Sequence, residues 1–90
     1  MCTMEKIVSC EISFIPIQSE NYIEDVEKVL DIIKAYDLEY SIGVMSTTVR
    51  GNKKILINLI SDIYDNMEDK CKFVLDFKLS NICGCSYQGI

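Results

Sequence analysis

The chain of 90 residues contains no histidine, no tryptophan and a single proline. The absence of histidine removes the commonest general base, the commonest metal ligand and every nucleophile that an imidazole activates. An enzyme built from this sequence would depend on carboxylates, thiols or lysines. The composition therefore favours a binding or assembly protein over an enzyme.

Basic residues are also few, because 9 Lys and Arg stand against 14 Asp and Glu and the net charge is −5. Nucleic acids and anionic membrane surfaces both need a basic footprint, so neither partner is expected. The chain has no run of 18 apolar residues and no secretory signal at its start, and we expect a cytoplasmic protein. The acidic excess lies in residues 20–39, where a solvated helix face and a cation-attracting surface are the alternatives.

The chain has five cysteines, and an odd number is not typical of a disulfide framework. We therefore expect the protein to be in a reducing compartment. The closest pair is Cys83 and Cys85, which lacks the two-residue spacer of zinc knuckles and thioredoxin motifs. A soft metal such as Cu(I) or zinc could use this pair, alone or with Cys2 or Cys71. The alternatives are a C-terminal tail, residues 83–90, with two free thiols, or a redox-sensitive pair.

The hydropathy pattern changes its period along the chain. Residues 7–15 alternate with period two, which predicts a half-buried strand with Cys10 on its apolar face. Pro16 is expected to end that strand, because proline cannot donate to a ladder. Apolar residues at helical spacing predict a helix over about 22–36, with Asn21 among the candidates for its N-cap.

The second half continues the alternation of strands and helices. Residues 38–44 and 45–50 are predicted to be strands, with a bulge at Gly43 between them. A clean amphipathic stripe predicts a helix over about 53–68, capped by Asn52. Period-two alternation returns in a last strand, 72–80.

The predicted order is therefore β-α-β-β-α-β. Right-handed crossovers place both helices on one face of a four-stranded antiparallel sheet of order 4-1-3-2. This is an α+β ferredoxin-like sandwich. We expect one domain over residues 1–82, followed by the tail.

Two groups of side chains are candidate ligand contacts. The sheet face without helices is expected to carry Glu11 and Ser13 from the first strand and Asp76 and Ser80 from the last. A solvated polar sheet face would show the same pattern. The second group is Met45, Ser46, Thr47 and Thr48, whose hydroxyls could bond ring nitrogens or a phosphate, although threonine is also common in strands for its β-propensity. Tyr22 could stack on a ring or a cation.

These segments resemble a known family. The likeness covers roughly residues 7–85 and rests on five stretches in order: VSCEISFIPI at 8–17, NYI at 21–23, DLEY at 37–40, MSTTVRGN at 45–52 and SNICGC at 80–85. Together they are similar to the YkoF-like thiamine/hydroxymethylpyrimidine-binding group of small proteins.

The resemblance implies non-catalytic binding of thiamine or its hydroxymethylpyrimidine moiety, with no further cofactor or metal. It also implies a homo-oligomer, dimer or tetramer. We expect Glu11 or Asp76 to accept from the amino group of the pyrimidine. We expect Ser46, Thr47 or Thr48 to donate to a ring nitrogen, and a tyrosine face to cover a ring. The alternatives are an oligomeric regulatory or assembly module without a small-molecule ligand, and a thiol- or metal-binding protein that uses Cys83 and Cys85.

Overall fold

The sheet and its two helices follow the order that the sequence predicts. A computed structural model describes residues 7–82. Its elements are β1 (Val8–Gln18), α1 (Tyr22–Ala35), β2 (Glu39–Ile42), β3 (Thr47–Gly51), α2 (Lys53–Met67) and β4 (Lys72–Ser80).

The strand order is β2-β3-β1-β4, which confirms the predicted 4-1-3-2 sheet. All three pairings are antiparallel. Cys10 lies opposite Val49 of β3 and Leu79 of β4, so these residues share one face. Strands β2 and β4 are the two edges of the sheet. The central strands, β1 and β3, contribute the buried core residues of the sheet.

Both helices begin where an asparagine satisfies free backbone N–H groups. The side chain of Asn21 accepts from the backbone N of Glu24 at 3.1 Å. Asn52 accepts from the backbone N of Lys54 at 2.8 Å. Both predicted caps are confirmed, and they mark where α1 and α2 begin.

The core lies between the helices and the two central strands. It consists of residues from β1, β3, α1 and α2: Cys10, Ile12, Val29, Ile33, Val49, Leu56, Leu59, Ile60, Ile63 and Met67. Outside this cluster the helices are joined by a hydrogen bond that the Tyr36 hydroxyl donates to the Asp62 carboxylate. That bond favours the protonated phenol and raises the pKa of Tyr36 to about 12.

One strand boundary differs from the prediction. Pro16 does not end β1, which continues to Gln18 with a register shift between Pro16 and Gln18. The reason is that β3 pairs with β1 only as far as Ile12, so the last part of β1 has β4 as its partner. A proline without an N–H is tolerated on a strand with one unpaired side and beside a bulge.

The hairpin between β2 and β3 also differs. Met45 and Ser46 were predicted to be in a strand, but β3 begins at Thr47. The pairing of β2 with β3 runs without a register shift from Glu39–Arg50 to Ile42–Thr47, so the bulge expected at Gly43 is wrong. Gly43 instead lies in the turn, where its backbone N donates to the carbonyl of Ser46 at 2.8 Å.

Neither α1 nor α2 is long and apolar enough to cross a membrane. Cys83, Cys85 and the rest of the predicted tail lie outside the described residues.

Candidate functional site

A cavity of about 270 Å³ lies between α1 and the β2–β3 hairpin. Its walls come from three parts of the fold: residues 12–14 of β1, residues 42–47 of the hairpin, and four apolar residues of α1, namely Val26, Val29, Leu30 and Ile33. The cavity is thus on the helix side of the sheet, at the end where β2 turns into β3.

The helical wall follows from the amphipathic pattern of α1. Residues spaced by three and four lie on one helix face. Val29 and Ile33 are buried in the core, whereas Val26 and Leu30 are half-buried beside it. The same stripe that anchors α1 therefore also presents apolar surface to the cavity.

The hairpin forms the rim of the cavity and is held at two points. Gly43 bonds to the Ser46 carbonyl, and the Ser13 hydroxyl of β1 donates to the carbonyl of Met45 at 3.3 Å. A Cβ atom at position 43 would meet the Ser46 carbonyl oxygen at 2.9 Å, so this close turn requires glycine. Val44 and Met45 at the tip are 101% and 86% exposed and leave the rim apolar.

The polar groups of the cavity are neutral. Ser13, Ser46 and Thr47 bring hydroxyls to a lining that is otherwise aliphatic, aromatic or glycine. Thr47 is the most buried of them, at 7% exposed. Among the described residues that line the cavity, no side chain is ionisable. A pocket with neutral hydroxyls on apolar walls suits an uncharged heterocycle.

The opposite face of the sheet is polar and ion-paired. Glu11 lies opposite Thr48 of β3 and Lys78 of β4. Its carboxylate is 3.8 Å from the Lys78 ammonium. The side chains of Lys78 and Glu11 are 76% and 49% exposed. Arg50 pairs with Glu39 at 3.0 Å on the same face. Exposed pairs of this kind contribute little to stability.

The structure divides the predicted contact residues between two faces of the sheet. Ser13, Met45, Ser46 and Thr47 line the cavity. Glu11, Thr48, Asp76 and Ser80 occupy the face without helices. Ser13 lies opposite Asp76 and shares that face by register, but it is beside the hairpin, where its hydroxyl bonds to the Met45 carbonyl and borders the cavity. Tyr22 is the first residue of α1 and is 62% exposed.

Because neighbouring residues of a strand point to opposite faces, Thr47 and Glu11 lie on opposite sides of the sheet, and Glu11 does not line the cavity. The expected contacts of a carboxylate, from Glu11 or Asp76, and of a hydroxyl, from Ser46, Thr47 or Thr48, with one ring remain predictions. The apolar wall of α1 and the glycine turn are the parts of the cavity that sequence reasoning missed. The stripe of α1 was visible, but its helical spacing indicated core packing alone.

The two described cysteines are protonated thiols at neutral pH. Cys10 is buried, and burial raises its pKa to about 11. The pKa of Cys71 is raised by burial and by a hydrogen bond to the carboxylate of Asp25. Within residues 7–82, no group of three or more metal-ligating side chains forms. The expectation for Cys10 as a core residue is confirmed.

Comparisons with known proteins bear on the same region. A family model described as "Thiamine-binding protein" matches residues 10–78. A Thermotoga maritima structure, named as a thiamine biosynthesis/salvage protein, is 21% identical, with a TM-score of 0.74 and 82% of each chain covered. A hypothetical protein from Methanocaldococcus jannascii is 21% identical, with a TM-score of 0.75 over 88% of this chain and 84% of its own.

A domain of unknown function from Bacillus cereus is 19% identical, with a TM-score of 0.76 over 89% of this chain and 80% of its own. At these identities the structural likenesses show the fold alone. A search among curated proteins gives no significant match.

Proposed function

The chain belongs to the thiamine-binding protein family, and from this premise we propose that it binds thiamine or its hydroxymethylpyrimidine moiety without catalysing a reaction. The observation that carries the proposal is the cavity beside α1, whose lining residues all lie within the segment that the family model matches. Carriage, buffering or salvage of the ligand are the roles that such binding would serve. The name of the Thermotoga maritima protein, a thiamine biosynthesis/salvage protein, supports a thiamine-related role for this chain.

The size of the cavity selects the part of the ligand that enters it. Its volume of about 270 Å³ is just below the range of roughly 300–1,000 Å³ for small-molecule sites. A single aminopyrimidine ring suits this space better than two linked rings. The second ring of thiamine would then lie at the rim, over the exposed side chains of Val44 and Met45.

The chemistry of the lining agrees with this orientation. An aminopyrimidine has an amino donor and ring-nitrogen acceptors, and hydroxyls both donate and accept. Ser46 and Thr47 are therefore suitable partners for its polar atoms. The cationic thiazolium, in contrast, would be costly to bury where the described lining has no carboxylate. At the rim it stays solvated, beside a helix with Glu27 and Asp31 on its surface.

The proposal of a non-catalytic role has its own support. General acid and base catalysis needs a titratable group within hydrogen-bond reach of the ligand. Across the cavity wall that the structure describes, hydroxyls are the only side-chain polar groups. Binding is therefore the role that this site supports best.

Thermal unfolding with added compounds tests the proposal. We expect thiamine or hydroxymethylpyrimidine near 1 mM to raise the unfolding midpoint by more than about 8 °C. A ligand at 100 times its Kd stabilises by about 2.7 kcal/mol, and each kcal/mol corresponds to roughly 4–8 °C in a domain of this size. 4-Aminopyrimidine is the matched control, because it has the same ring and amino group but lacks the methyl and hydroxymethyl groups. Cooperative unfolding at an unchanged midpoint with every thiamine-related compound would contradict the proposal.

The proposed form is a homo-oligomer, dimer or tetramer, in the cytoplasm. Both edge strands of the described sheet are available for pairing with another copy. Phe77 and Leu79 of edge strand β4 are 41% and 40% exposed, although they share the face of the sheet that the helices cover elsewhere. Sedimentation at several concentrations, with and without ligand, distinguishes an assembly that accompanies binding from a module whose only role is assembly.

A further inference from the structure

We infer that the cavity beside α1 selects the unphosphorylated pyrimidine and rejects the phosphate ester of its hydroxymethyl group. This inference rests on the proposed function and specifies the ligand class of the same site. The first observation is the lining itself, where hydroxyls of Ser13, Ser46 and Thr47 are the side-chain polar groups described. Proteins recognise phosphate with arginine, lysine or free backbone N–H groups, and the described lining offers neither cation.

The N-terminus of α1 does not supply an anion site either. Tyr22 begins this helix one turn before Val26 of the cavity wall. The Asn21 side chain and carbonyl already accept from the backbone N of Glu24 and of Asp25. The first turn also carries the carboxylates of these two residues, which disfavour an anion at that helix end.

The charges that flank the cavity wall are mostly negative. Helical spacing places Glu27, Asp31 and Lys34 on the stripe of α1 next to Leu30, and all three are exposed. Two acids against one lysine leave this flank acidic. Lys53 and Lys54 lie beyond Gly51, at the end of β3 away from the hairpin. Five strand residues separate that end from the rim, a length of about 17 Å.

The position of the phosphate on the ligand determines the size of the effect. On hydroxymethylpyrimidine the phosphate is one carbon from the ring, so burial of the ring brings a dianion to the uncharged rim. On thiamine phosphate the ester is on the far side of the second ring and reaches solvent. We therefore expect strong discrimination between the pyrimidine alcohol and its phosphate, and weak discrimination between thiamine and thiamine phosphate.

Calorimetric titration of the full chain with these four compounds tests the inference. We expect the pyrimidine phosphate to bind at least about tenfold more weakly than the alcohol, because the dianion would lie at an apolar rim whose described residues offer no cation and which is flanked by the carboxylates of Glu27 and Asp31. Thiamine phosphate should bind within about threefold of thiamine, because a charge in solvent is largely screened. Equal affinity for the pyrimidine alcohol and its phosphate would overturn the inference and leave the proposed function standing. Absence of binding by all four would overturn both.

A variant that adds the missing cation tests the cause. Val44 is fully exposed at the rim, so Val44→Lys leaves the fold intact. We expect it to raise affinity for the pyrimidine phosphate, relative to affinity for the alcohol, about two- to fivefold, which is the range of an exposed ion pair. Ile57→Lys, at an exposed position of α2 outside the cavity, is the control and should change neither. An equal response of the two variants would show that the charge of the rim does not set the selectivity.

Discussion

Replacement of Thr47 by valine should weaken binding of the pyrimidine ligand by about tenfold or more, which corresponds to roughly 1.4 kcal/mol. Thr47 is the most buried hydroxyl residue of the cavity. Its loss would leave a polar atom of the bound ring without a partner beside a buried residue. Valine keeps the β-branched shape that a strand favours, so the fold should be retained. Isothermal titration of both proteins measures the effect.

The neighbouring residue provides a matched control. Thr48→Val makes the same chemical change, one position along β3, but on the face of the sheet that lies opposite Glu11. We expect ligand affinity to stay within about twofold, because surface changes away from the site have small effects. Loss of binding in Thr48→Val with normal binding in Thr47→Val would place the ligand on the face without helices.

Truncation of Leu59 to alanine should lower the midpoint of thermal unfolding by about 8–40 °C. This side chain is completely buried in the core of α2 and the sheet. Replacing a buried leucine by alanine costs about 2–5 kcal/mol, from the lost transfer of apolar surface and the cavity left behind. In a domain of this size, each kcal/mol shifts the midpoint by roughly 4–8 °C.

Ile57→Ala is the control for that change, because Ile57 lies on the same helix and is 42% exposed. Its cost should be below about 1 kcal/mol, and the better helix propensity of alanine offsets part of the loss. Circular dichroism at 222 nm follows both transitions. If the two variants unfolded within a few degrees of each other, the assignment of the apolar stripe of α2 to the core would be wrong.

The fold could be predicted because each element has a strong local signal. The alternation around Cys10 and the helical stripe through Ile63 have different periods, and the two asparagine caps mark where the period changes. Handedness of the crossovers then leaves one arrangement of the strands. The exceptions are positions where tertiary context decides. Pro16 is tolerated because the pairing of β3 with β1 ends at Ile12. The extent of that pairing depends on the lengths of both strands, which the local sequence around Pro16 does not show.

The candidate site could be predicted only in part. Residues 45–48 were identified, yet the hairpin divides them, because Thr47 faces the helices and Thr48 faces away. Their orientation depends on the register of β3 against β1, and a shift of one residue would exchange the two faces. The apolar wall of α1 was not identified as part of a site. An apolar stripe has the same sequence pattern whether it packs against side chains or faces a cavity.

Intermolecular nuclear Overhauser effects between bound hydroxymethylpyrimidine and the protein methyl groups test the central claim most directly. The ring protons should show contacts to the methyl groups of Thr47 and Val29, which lie on the helix side of the sheet. Thr48 and Val74 provide methyl groups on the opposite face. Contacts confined to the first pair would place the ligand in the cavity beside α1, as we expect. Contacts to Thr48 or Val74 with none to Thr47 would contradict that location.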